Sequence, residues 1–87
     1  MSNALSLVSG NINSLSAFIE KLGFKLYGSF NETEPSEVPI QHDIYTCIKG
    51  KYSGDVIDVY YNYNTGQIHH KEVSSQFKGS EPMFSFN

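Results

Sequence analysis

The chain predicts an α+β fold in which one N-terminal amphipathic helix packs on a three- to four-stranded antiparallel sheet in meander order. Three observations predict it. Leu5, Val8, Ile12, Leu15, Ile19 and Leu22 recur at alternating spacings of three and four residues, which is the apolar stripe of a helix lying on a core. From Ile40 the pattern changes to a period of two, as in a half-buried strand. A β-branched and aromatic run from Val56 to Tyr63 then meets a second extended run across Asn64-Thr65-Gly66, a strong hairpin signal. With 87 residues, the chain has material for a single domain spanning 1–87 and for two packed layers.

The helix is expected over residues 11–22. Asn11 or Asn13 can cap its N-terminus, Gly23 stands where a C′ glycine belongs, and Lys21 suits the negative pole. Residues 3–9 read as a helical first half or a separate turn, with Gly10 interrupting the pattern. Phe18 widens the stripe.

Residues 24–30 alternate apolar with small or polar residues and predict a short strand at a sheet edge. Residues 31–39 form an acidic, proline-containing surface loop: Glu32, Glu34 and Glu37 accompany Pro35 and Pro39, which exclude a helix interior and a central strand. In the strand at 40–49, Ile40, His42, Ile44, Thr46 and Ile48 share one face, expected inward, and Gln41, Asp43, Tyr45, Cys47 and Lys49 share the other. Residues 50–55 are turn chemistry.

In the strand at 56–63, Ile57, Val59, Tyr61 and Tyr63 are expected on the core face, which turns Tyr60 outward. The hairpin admits two registers. A three-residue loop at 64–66, with Gly66 left-handed, pairs Tyr63 with Gln67 and Tyr61 with His69; a two-residue loop at 65–66 pairs Tyr63 with Ile68 and Tyr61 with His70. Glycine at the bulge position favours the first, and the returning strand covers 67–75. Residues 76–87 read as loop and tail, with 83–86 either a short last strand or a tail packing its phenylalanines on the core.

Composition narrows the function. All six basic residues are lysines, against nine Asp and Glu, for a net charge of −3. Arginine is the preferred reader of phosphates and base edges, so its absence beside a negative charge disfavours nucleic acid and an anionic membrane surface as partners. One cysteine, Cys47, cannot form an internal bridge and favours a reducing compartment. No apolar run approaches the roughly 18 residues of a membrane span, and no basic region precedes the first apolar residues as in a secretory signal. The expected location is the cytoplasm.

Candidates for chemistry resolve toward plain readings. His69 and His70 are adjacent on a strand and point to opposite faces, so they do not chelate one ion. Cys47 lies mid-strand, with neither a helix N-terminus nor a glycine elbow to activate it. Asp55 and Asp58 are three apart, and the loop glutamates are solvated rather than converging on a pocket. No phosphate-cradling glycine loop is present. No enzyme, metal or cofactor is expected; a small enzyme with an unrecognised site is the remote alternative.

A binding role remains. Glu32, Glu34, Glu37 and Asp43 give residues 26–48 four carboxylates and no lysine, and such a field speeds docking on a basic partner. An outward Tyr60 offers contact area with a polar tip. In size, charge and composition the chain resembles the small cytoplasmic immunity proteins that bacteria make against nuclease toxins, such as those of contact-dependent inhibition systems. That resemblance implies a cationic toxin domain as the protein partner, with Glu32, Glu34, Glu37 and Asp43 as the contacts to test. A homodimer formed through the helix stripe or an open sheet edge is the second expectation.

Overall fold

The computed structural model describes residues 10–33 and 38–86. One helix, α1 (Ile12–Lys21), is followed by four strands, β1 (Phe24–Asn31), β2 (Ile40–Cys47), β3 (Asp55–Asn62) and β4 (Ile68–Ser75). The strands pair antiparallel in the order β1-β2-β3-β4. This is the α+β meander that the periodicities predict. The first half of the apolar stripe, with Leu5 and Val8, lies outside the described residues, as do Glu34 and Glu37 of the acidic loop.

Local chemistry sets the helix ends. Asn11 caps the N-terminus, its side-chain oxygen accepting from Asn13 N–H at 2.8 Å. Gly23 follows the C-cap Leu22 with φ of 106°, a left-handed geometry that glycine takes at little cost. The chain then enters β1 directly. Ile12, Leu15 and Ile19 bury the helix stripe against Phe24, Tyr45, Cys47, Ile57 and Val59.

Ten residues make a helix only about 15 Å long, which is too short to cover one face of the four-stranded sheet. The C-terminal tail covers part of the remainder. Phe84 is buried with its ring edge-on to Phe24 and Tyr52, and Phe86 packs on Phe84 in turn. Buried Asp55 fixes this segment by accepting from Phe84 N–H at 2.6 Å. Of the two readings of 83–86, the packed tail is the one adopted.

The sheet faces differ from expectation on β2. Its core face carries Asp43, Tyr45 and Cys47, which pair with Val59, Ile57 and, on β1, Phe24. Ile40 and Ile44 are only partly buried on the other side, and Ile48 falls after the strand with 68% of its surface exposed. The isoleucines yield because the face with Asp43 opposes the more apolar face of β3, where Ile57 and Val59 are completely buried. Asp43 can lie there because its charge is met by hydroxyl donors: Ser29 at 2.5 Å, Tyr61 at 3.0 Å and, at a long 3.5 Å, Tyr45.

The hairpin takes neither expected loop. Asn62 N–H donates to Gln67 C=O and Gly66 N–H to Asn62 C=O, which leaves four residues, 63–66, in the loop. Gly66 is left-handed, with φ of 82°. Tyr63 is therefore a loop residue and half-exposed rather than core. Next to the loop Tyr61 pairs with Ile68, but Tyr60 pairs with His70. His69 is the extra residue of a bulge and is exposed. The longer loop and the bulge offset each other, so from Tyr60 onward the register is that of the three-residue loop. The hairpin also anchors the helix entry, since Ile12 N–H donates to Gly66 C=O at 2.8 Å and Ile68 N–H to Gly10 C=O at 3.1 Å.

Candidate functional site

Among the described residues, no helix or strand covers the second face of the sheet. Across it the register lines up Phe30, His42, Tyr60 and His70, one from each strand. The rings form a continuous row. His42 stacks on Tyr60 with centroids 4.0 Å apart, Phe30 lies 6.1 Å from His42, and His70 lies 5.7 Å from Tyr60. Such cross-strand aromatic pairs stabilise a sheet even without a covering layer. The next row places Ile44, Asp58 and Glu72 side by side on β2, β3 and β4.

His42 is the centre of this row and is buried between its neighbours. Its Nε2 lies 2.7 Å from Asp58 Oδ1 and its Nδ1 3.2 Å from Glu32 Oε1. A neutral imidazole has one N–H and can donate to only one of the two carboxylates; the imidazolium donates to both. Burial opposes the charged ring, but the hydrogen bonds and negative charge of Asp58 and Glu32 outweigh it, so His42 is held above its ordinary 6.5. In the imidazolium form both N–H groups are engaged and the ring has no lone pair to offer a metal. Among the described residues, no group of three or more His, Cys, Asp and Glu could hold a metal ion.

The carboxylates are graded in access. Glu32 is 46% exposed and Asp58 18%. Asp58 and Glu72 sit directly opposite each other on β3 and β4, a like-charge pair that costs stability in a sheet. Partial burial first, then the charges of Glu32, Asp58 and Glu72, push the Tyr60 hydroxyl up from its ordinary value. Glu32 and Asp58 thus meet the ring stacked on Tyr60, and Glu72 stands opposite Asp58.

The residues singled out in the sequence separate accordingly. Glu32 and Tyr60 come together on the open face. Asp43, one residue from His42, points to the opposite side, where it is buried and already accepts three hydroxyls. There it lies at the base of a cleft of about 380 Å³ walled by Tyr45, Tyr61, Tyr63 and the 64–66 turn. Cys47 is buried at the end of β2, its thiol directed at Lys49 C=O. His70 flanks Tyr60, with its Nε2 3.5 Å from Glu72.

His42 and Asp58 were the residues that sequence reasoning did not select as partners. The signal was available in part: Asp58 and Tyr60 share one parity on β3, and His42 stands on the β2 face opposite Asp43 and Tyr45. Register between the strands was needed to bring them together.

No family model matches the chain, and the searches found no similar protein among the curated ones or the solved structures. Among the described residues, no helix is long and apolar enough to cross a membrane.

Proposed function

We propose that this is a small protein-binding domain that neutralises a basic partner by direct docking, in the manner of an immunity protein on a cationic nuclease toxin. The observation that carries this reading is the open sheet face, where the aromatic row Phe30–His42–Tyr60–His70 is bordered by Glu32, Asp58 and Glu72. Aromatic anchors supply contact area, and carboxylates at their border favour a basic surface and raise the association rate. Among the described strand residues, Lys25, beside Thr46 on β1–β2, is the lysine that the register puts on this face, at the end of β1 away from Phe30. The acidic loop feeds into the same region, because Glu32 N–H donates to Ile40 C=O at the end of β2.

The experiment takes the product of the neighbouring gene, which this reading expects to include a basic domain, and measures its association at low and at physiological salt with the wild type and with Glu32→Lys combined with Glu72→Lys. Both side chains are about half exposed, and because Glu32 also meets His42, Glu72→Lys alone serves as the variant that leaves that contact in place. An association rate that falls by about tenfold or more at low salt supports docking through this face. An unchanged rate removes it.

A second reading, self-association, is favoured by the exposed Leu26, Tyr27 and Phe30 on edge strand β1. The register shift between Leu26 and Gly28 interrupts the ladder a second copy would extend. Sedimentation of the isolated chain separates the two: a stable dimer without partner favours the edge.

A further inference from the structure

The open face has a charge problem that the chain solves with one proton. Glu32 and Asp58 both bear on His42, and Glu72 stands opposite Asp58. The chain contains no arginine. Lys71 turns away, its ammonium lying over the Phe86 ring on the helix side. Among the described residues, the group within ion-pair distance of both Glu32 and Asp58 is His42, wedged between Phe30 and Tyr60, and it serves both as a cation when its ring is protonated.

Resting on the docking reading above, we infer that the partner group this face takes is an arginine guanidinium, which enters beside Tyr60 among Glu32, Asp58 and Glu72 and displaces the proton that His42 carries. A guanidinium stays charged and forks onto carboxylates, which Asp58 and Glu72, side by side on β3 and β4, match, with the packed Tyr60 ring as their neighbour. Its charge replaces the imidazolium's: once Asp58 and Glu32 face an external cation, burial returns the ring to the neutral form, whose single N–H still serves one carboxylate. Proton and arginine are then ligands with opposed binding, each weakening the other by the same factor. The titratable groups among the described residues that face His42, directly or through Tyr60, enter the balance. These are Glu32 after β1, Asp58 and Tyr60 on β3, and, beyond Tyr60, His70 and Glu72 on β4.

The test uses a blocked tri-arginine peptide and its tri-lysine counterpart as probes of the whole chain, followed by NMR of the backbone amides and histidine rings. Tri-arginine should shift Tyr60, Asp58 and Glu72 and bind roughly three- to tenfold more tightly at about pH 8 than at about pH 6, within the roughly hundredfold ceiling that one released proton sets over two pH units. At fixed pH it should also drive the His42 ring signals of the wild type toward the neutral form, a readout that needs no variant. His42→Gln should abolish the pH dependence of whatever affinity remains, and His70→Gln should leave a pH dependence in place. Binding at this face with equal affinity at both pH values overturns the exchange while leaving the docking reading intact. Equal affinity for tri-lysine overturns the choice of arginine. Shifts absent from this face overturn the inference, and the docking reading falls with it only if charge reversal also leaves partner association unchanged.

Discussion

The two faces of the sheet solve the same problem with different chemistry. Each holds a buried ionisable side chain on β2, and the two are sequence neighbours, His42 and Asp43. On the helix side Asp43 is met by neutral donors, the hydroxyls of Ser29, Tyr61 and Tyr45. On the open side His42 is met by charges, the carboxylates of Asp58 and Glu32. Neutral hydroxyls fix a buried carboxylate without adding charge of their own. Carboxylates around an imidazole leave surplus negative charge at the surface. The first arrangement serves stability, and the second leaves something for a partner to satisfy.

If that division holds, truncating the helix side should cost far more than truncating the open side. Ile57 is completely buried on β3, whereas Ile44 on the open face of β2 is only partly so. Ile57→Ala should cost about 2–5 kcal/mol, the usual penalty for emptying a close-packed site. Ile44→Ala should cost well under half as much, because water reaches the space. Urea denaturation of the two variants decides it; equal losses would mean that the open face is covered in solution.

The polar cluster on the helix side offers the next largest effect. Asp43→Ala removes the acceptor of the Tyr61 hydroxyl and of the exposed Ser29 hydroxyl, and should cost about 1–3 kcal/mol. Asp43→Asn keeps an acceptor and should cost less. The tyrosines report on the same contact. Burial first, then the hydrogen bond and charge of Asp43, push the Tyr61 hydroxyl up to about 12, against a smaller opposing pull from Ser29; Tyr45 is raised further, mainly by burial and then by Asp43. In absorbance titration, Asp43→Asn should let Tyr61 ionise at lower pH than in the wild type. A Tyr61 titration indifferent to Asp43 would break the cluster.

Much of the fold was legible because its determinants are local. Asn11 as cap, Gly23 beyond the helix end and the stripe through Ile12, Leu15 and Ile19 act within a few residues of one another. The face of β2 was not. Three isoleucines outweigh one aspartate when a strand is read alone, and only Ser29 and Tyr61, 14 residues before and 18 after, make a buried Asp43 affordable. The hairpin failed differently. Gly66 was correctly a left-handed turn residue, yet the loop holds one more residue than expected, and the His69 bulge restores the register beyond it. Tyr60 therefore faces outward beside His70 as expected, although Tyr63 left the core. The site was half legible for the same reason: Glu32 and Tyr60 stood out by type, while His42 and Asp58 acquire a role only through pairing.

The smallest effect, and the one that most sharpens the contrast, is the pH dependence of stability. His42 is raised in the folded chain above its ordinary 6.5, burial opposing the shift and Asp58 and Glu32 producing it. The folded state therefore binds this proton more tightly than the unfolded state does. The stabilisation is fully present below the unfolded value and is lost as pH rises through the higher folded value. His42→Gln should flatten that slope, whereas Asp43→Asn should lower stability and leave the slope across neutral pH in place, because its hydroxyl partners do not titrate there. His69 and His70 are both exposed, so their replacement serves as the control. Chemical denaturation at closely spaced pH values gives the slope directly. If stability instead rises through this window, His42 is held neutral, and the open face has no proton to give up to a partner's cation.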